Sequence, residues 1–200
     1  MVATVNSWLR RVPVWLLYLL ALAPIPWLFW LGLNGQLGVE PIQELEHEYG
    51  ELALKFLIAG LAVTPLRRFA GLNLLKFRRA LGLITFWYVC AHLAVWLVLD
   101  VGNLAQIWAD IVKRPYITVG MLGFVVMVPL ALTSNSWSLR RLGRGWHSLH
   151  RLVYVAAALG GLHYVLLAKG WQLEPLIYLA IILGLLAARL KPRVARTARA

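Results

Sequence analysis

Two of the five histidines, His92 and His163, fall deep inside long apolar runs. A neutral imidazole keeps one lone pair with which to ligate a metal, and an ionisable side chain inside a membrane span is costly enough to mark a functional site by default. Chain rise gives their depth. At about 1.5 Å per residue, a helix that begins near Ala80 carries His92 about 18 Å in, and one that begins near Leu149 carries His163 about 21 Å in. The two helices run in the same direction, so the imidazoles reach one level. Two imidazoles facing each other across a bundle at one depth suit the two axial positions of a haem. The plain alternative is a pair of histidines that only bond neighbouring helices.

His150 is a third candidate, thirteen residues before His163. On one ideal helix the two would be rotated by about 140°, unless Gly160-Gly161 supplies a bend. His150 is read as the ligand of a second haem, or as a contact for a quinone headgroup, a flavin or a propionate. His147 is read as interfacial. His47, among Glu44, Glu46 and Glu48, is read as a surface residue at the outer end of the second span. A metal other than haem iron would need further ligands, and the spans supply no carboxylate or thiol set for one. Cys90 is two residues from His92 and so points elsewhere on a helix. As the single cysteine, it excludes an intrachain disulfide framework, a cysteine zinc site and a thiolate-held cluster. No P-loop, Gly-rich dinucleotide fingerprint or nucleophile elbow occurs, so the reductant must be borrowed.

The elements that position these histidines are membrane helices. Hydrophobic residues make up 61% of the 200 and charged residues only 14%, against about 45–50% and about 25% in soluble domains. That balance excludes a soluble globule and a disordered chain. Six apolar runs are candidates for crossing about 30 Å of hydrocarbon: 14–33, 52–66, 80–99, 117–133, 149–168 and 173–188. The expected fold is a single all-α domain over 1–200, a six-helix membrane bundle. The first run resembles a signal peptide, with Arg10, Arg11 and Ala21-Leu22-Ala23. Pro24 disfavours cleavage there, and the run continues to Leu33, so a retained helix kinked at Pro24 and Pro26 is expected.

Orientation follows from Lys and Arg in short loops. Sixteen fall on one side: Arg10, Arg11, Arg67, Arg68, Lys76, Arg78, Arg79, Arg140, Arg141, Arg144, Arg151, Arg189, Lys191, Arg193, Arg196 and Arg199. Lys113, Arg114 and Lys169 fall on the other, beside Glu40, Glu44, Glu46, Glu48, Asp110 and Glu174. Both termini are therefore expected in the cytoplasm. Topology accounts for most of the net charge of +12 without nucleic acid as a partner; the partner it implies is membrane lipid. Trp8, Trp15, Trp137 and Trp146 near the basic boundary, and Trp27, Trp30, Trp96 and Trp171 near the other, read as interfacial belts.

Several segments taken in order carry a resemblance. They are Leu54-Lys55-Phe56-Leu57 with Thr64-Pro65-Leu66, then Arg78-Arg79-Ala80-Leu81-Gly82-Leu83, then His92. Arg114-Pro115-Tyr116-Ile117-Thr118-Val119-Gly120 and Leu132-Thr133-Ser134 follow, and last Leu149-His150-Arg151-Leu152-Val153-Tyr154 with Leu162-His163-Tyr164. From about Leu31 to Leu186 the chain resembles the ferric-reductase-like transmembrane domain family, in its branch of haem-binding subunits from bacterial periplasmic methionine sulfoxide reductase systems. The resemblance implies a multi-pass protein of the bacterial inner membrane with a b-type haem and an associated FMN. It implies electrons arriving from the quinone pool or a cytoplasmic flavin reductase and leaving to a periplasmic molybdopterin enzyme that reduces methionine sulfoxide in oxidised proteins. By position, His92 and His163 match the outer haem ligands and His150 the inner histidine of the fifth span.

Relatives with two stacked haems, such as the NADPH oxidases, carry a second histidine in the third span. Here Arg79 and Arg78 stand thirteen and fourteen residues before His92. Guanidinium groups do not ligate iron, but with Arg67, Arg68, Arg140 and Arg141 they are candidates to hold FMN phosphate or haem propionates. The rival readings are a stand-alone quinol- or metal-reducing cytochrome, and a cofactor-free transporter or assembly factor.

Overall fold

A computed structural model of the protein describes residues 2–168 and 172–189, and every regular element among them is helical. Lys169, Trp171, Lys191, Arg193, Arg196 and Arg199 lie outside the described residues. Val14–Leu33, Pro41–Phe69, Leu75–Val101, Pro115–Leu132 and Arg144–Leu167 are each long and apolar enough to cross a membrane. The sixth expected span is the apolar helix Leu173–Ala187, whose 15 residues reach about 22 Å at 1.5 Å per residue.

Prolines place the breaks and the starts. The first span divides at Ala23 into α2 (Val14–Leu22) and α3 (Pro24–Leu33), because Pro24 and Pro26 have no N–H to give to the preceding turn. Ahead of it lies α1 (Val2–Arg11), an amphipathic helix absent from the hydropathy reading. Its Asn6 donates to the Gly71 carbonyl at 3.0 Å and accepts from the Asn73 N–H at 2.9 Å. That docking leaves Val5 and Trp8 exposed, the disposition of a helix lying in the membrane interface.

The second span is longer than its apolar core. Helix α4 (Pro41–Phe69) begins eleven residues before Leu52. Proline at the first helical position and glutamate in the first turn both favour a helix start, so the acidic segment ahead of the apolar run is helical. Nor does Pro65 end it. The proline leaves the Leu61 carbonyl without its helical donor, and Arg189 Nη2 bonds that carbonyl while Nη1 donates to the Tyr154 hydroxyl at 3.2 Å.

Helix α5 (Arg78–Ala94) follows a short 3₁₀ turn and runs on through wider π-helical turns over Val95–Val101. It stops at Gly102, whose φ of 60° is left-handed and costs a residue without Cβ little. Helix α6 (Leu104–Lys113) is surface-lying and exposes Leu104, Trp108 and Val112 on one face. Helix α7 (Pro115–Leu132) then crosses back. The short helices α8 (Ser136–Leu142) and α9 (Arg144–Leu149) lead to α10 (Leu152–Leu167) and finally α11 (Leu173–Ala187). The bend before α10 falls at His150-Arg151, while Gly160-Gly161 stays inside a continuous helix.

Helices α4 and α5 pack along their lengths as an antiparallel pair, and so do α7 and α10. α2 and α3 lean on the first pair, and α11 bridges α10 and α4. Two buried tyrosines fix the broken first span: Tyr49 donates to the Ile25 carbonyl at 2.5 Å, and Tyr88 to the Ala21 carbonyl at 2.6 Å. One core cluster joins Ala21, Tyr49, Ile84 and Tyr88; a second joins Leu54, Leu57, Leu61, Ala157 and Ile182. Trp8, Trp15, Trp27, Trp30 and Trp137 are exposed, as interfacial anchors are. Trp96 is not one of them. It is 7% exposed and turned into the bundle, on the wider π-helical turns where the register of side chains shifts.

Candidate functional site

Between the two antiparallel pairs lies a cavity of about 700 Å³ that contains both His92 and His163 on its wall, a volume within the roughly 300–1,000 Å³ of cofactor pockets. Its deeper wall is apolar, with Leu54, Leu57, Val89, Phe124, Met127 and Ala156. The mouth is polar and lies at the acidic end of the bundle, with Glu40, Glu46, His47, Asp100 and Arg114.

The two imidazoles are held alike. His92, on α5, points its Nδ1 at the Glu46 carbonyl of α4 at 2.9 Å. His163, on α10, points its Nδ1 at the Tyr116 carbonyl of α7 at 2.7 Å. A carbonyl only accepts, so both protons sit on Nδ1 and each Nε2 is left with a free lone pair. This is the outer-shell bond that orients ligating histidines in metal sites. The ring centres are 6.2 Å apart and the planes meet at 82°. Two imidazoles bound to one metal at about 2 Å each, with the reach from ring centre to nitrogen added, place their centres roughly 6 Å apart. The donor set therefore fits an axial pair.

His150 lies elsewhere. It caps α9 at the basic end, with Nε2 3.0 Å from Thr133 Oγ1 and its ring stacked on Trp146 at 3.8 Å between centres. Trp146 in turn donates to the Thr133 carbonyl at 2.9 Å, so the C-terminus of α7 holds both rings. Thirteen residues, most of them helical, separate His150 from His163, about 20 Å at 1.5 Å per residue. Arg78 and Arg79 are exposed at the start of α5 and are not on the cavity wall. Arg114 is on it, with Nη1 donating to the Tyr116 hydroxyl at 3.2 Å and Nε 3.5 Å from Asp110 Oδ1. His47 is exposed at the mouth, and Cys90 is half-buried away from the cavity. Among the described residues, no three His, Cys, Asp or Glu side chains converge as a metal-ion site. The acceptors that tether the histidines, the carbonyls of Glu46 and Tyr116, escape a reading by side chains because any residue supplies a carbonyl.

The chain matches the family described as ferric reductase like transmembrane component over residues 48–161, a stretch that includes His92 and His150 and ends before His163. It is 51% identical over 178 residues to the protein-methionine-sulfoxide reductase heme-binding subunit MsrQ of Brucella anthropi, covering 88% of this chain and 81% of that protein. Proteins of the same name from Brucella ovis and Brucella suis are 50% identical over 185 residues, covering 92% of this chain and 84% of theirs. No solved structure matches the chain. Apolar helices and family together make it a multi-pass membrane protein.

Proposed function

Since the chain belongs to the ferric reductase like transmembrane family, and within it to the MsrQ haem-binding subunits, we propose that it is the membrane electron-transfer subunit of a protein-methionine-sulfoxide reductase system. It sits in the bacterial inner membrane as one domain of six spans with both termini in the cytoplasm. His92 and His163 hold a b-type haem through Nε2. When bound, that group carries one electron at a time between its ferric and ferrous states.

The chain's own residues do the rest. The Nδ1–H bonds to the Glu46 and Tyr116 carbonyls fix both rings before the cofactor arrives. Leu54, Leu57, Phe124 and Met127 exclude water from the deep wall. A haem held between the Nε2 atoms of His92 and His163 would have no open position for substrate, which favours a carrier over a catalytic subunit. Electrons come from the quinone pool or a cytoplasmic flavin reductase and pass to a periplasmic molybdopterin methionine sulfoxide reductase, for repair of oxidised proteins. At the basic end, His150 with Arg78 and Arg79 serves electron arrival, as a contact for FMN or for a second haem.

The observation that carries this reading is the matched pair of imidazoles, 6.2 Å apart and lining one cavity. The test is the visible spectrum of the purified protein before and after dithionite, then after adding the periplasmic reductase with a methionine sulfoxide substrate. A Soret band that shifts on reduction and is restored by the partner is the expected result. A colourless protein, or a reduced band that the partner leaves untouched, overturns it.

A further inference from the structure

The two histidine tethers share a second feature, one helical turn beyond each accepting carbonyl. His92 bonds the carbonyl of Glu46, and the residue four further along α4 is Gly50. His163 bonds the carbonyl of Tyr116, and the residue four further along α7 is Gly120. In an α-helix the carbonyl of residue i already accepts from the N–H of residue i+4. A ring that reaches the second lone pair of that carbonyl must lie over the backbone at i+4, where any Cβ would stand.

The distances show how little room there is. A Cβ at Gly120 would lie 2.8 Å from His163 Nδ1 and 2.9 Å from its Cε1, closer than such atoms pack. One at Gly50 would lie 3.2 Å from His92 Nδ1 and 3.4 Å from Cε1. Both helices bear the conformational cost of glycine in a helix interior, at the same offset from the same kind of bond. Packing between helices alone does not require that coincidence.

We infer that Gly50 and Gly120 are positioning residues for the iron ligands: each opens a backbone slot that lets the imidazole reach a main-chain carbonyl, which fixes the ring's orientation and keeps its proton on Nδ1. Removal of the slot acts on iron through the histidine, not by contact. The inference rests on the proposed haem reading for its consequence and on the protein alone for its geometry.

The experiment compares Gly120→Ala and Gly50→Ala with Gly82→Ala, a control on α5 whose Cβ would meet open space. Full-length protein labelled with ¹⁵N at histidine is purified in detergent, and haem per protein, the ferric low-spin paramagnetic resonance signal and the histidine ¹⁵N spectrum are recorded. In Gly120→Ala, haem affinity is expected to fall about 10- to 100-fold, as for loss of a metal's outer-shell partner. Haem that remains should show shifted g values. Gly50→Ala, with its looser contact, should keep haem and shift the signal less, and Gly82→Ala should match the wild type. Wild-type loading and g values in both Gly50→Ala and Gly120→Ala overturn the inference and leave the haem reading intact. If the wild type purifies without haem, the haem reading fails, and the ¹⁵N spectra still decide: a His163 Nδ1–H resonance unchanged in Gly120→Ala overturns the slot, and its loss supports it. Should Gly120→Ala fail to accumulate, the His92 resonance in Gly50→Ala decides in the same way.

Discussion

The imidazole planes of His92 and His163 meet at 82° across the cavity. A haem held by this proposed pair would have near-perpendicular imidazole ligands, and its ferric low-spin resonance spectrum should therefore show one large g value. His92→Ala and His163→Ala should each remove most haem absorbance, because either leaves iron with one protein ligand in an apolar site. Normal low-spin haem in the double variant would refute the ligand pair.

His150 has a different surrounding and so a different expected phenotype. Its Nε2 meets Thr133 Oγ1 and its ring stacks on Trp146, far from the cavity. His150→Ala should leave the visible spectrum assigned to His92 and His163 in place while slowing reduction by quinol or by a flavin reductase. Rapid-mixing reduction followed in the Soret region measures this. An unchanged rate would remove His150 from electron arrival.

Much of this site is legible in the sequence because it depends on quantities linear along the chain. Hydropathy locates the spans, and a fixed rise per residue brings His92 and His163 to one level. What the sequence hides is what depends on neighbours. The start of α4 is hidden because Glu44, Glu46 and Glu48 lower hydropathy without opposing a helix. The buried place of Trp96 is hidden because the π-helical turns after Ala94 change which side chains face inward. The Glu46 and Tyr116 carbonyls carry no side-chain signal at all. A trace was there: glycines at 50 and 120, each inside a helix where glycine is otherwise a cost, ask for a close approach.

Topology is tested separately from the cofactor. The bias of sixteen Lys and Arg against three predicts that reporter fusions after Arg68, Arg144 and Ala200 behave as cytoplasmic. Fusions at Lys113 and Lys169 should behave as periplasmic. A cytoplasmic signal at Lys169 would reverse the depth of His163 and move the cavity mouth to the wrong side for a periplasmic partner.

The Pro65–Arg189 relationship predicts a coupling. Arg189 Nη2 bonds the Leu61 carbonyl that Pro65 leaves without a helical donor. Arg189→Met should destabilise the protein by roughly 0.6 to 1.7 kcal/mol, the scale of interhelical polar contacts in membranes. In a Pro65→Ala background, where residue 65 donates its own N–H to Leu61, the same change should cost less. Thermal denaturation in detergent of the four proteins completes the cycle. Strict additivity would show that the arginine does not act through that carbonyl.

The acidic end of the bundle predicts how a partner docks. Glu40 is exposed at the N-cap of α4, and on its first turns Glu44 is exposed and Glu48 half-exposed, beside the cavity mouth. Glu46 differs from them, since its main-chain carbonyl tethers His92. A docking test must therefore spare it. Exposed charges of this kind act chiefly on association rate, and salt screens them over about 10 Å at 0.1 M. The triple variant Glu40→Gln, Glu44→Gln, Glu48→Gln should slow reoxidation of the dithionite-reduced protein by the periplasmic reductase at low ionic strength and leave the visible spectrum unchanged. Raising the salt should bring wild type and variant to one rate, because screening removes the same attraction as the substitutions do. Stopped-flow traces over a salt series measure both effects. A flat salt dependence with equal rates would take the acidic helix start out of docking and leave the proposed haem relay at His92 and His163 untouched.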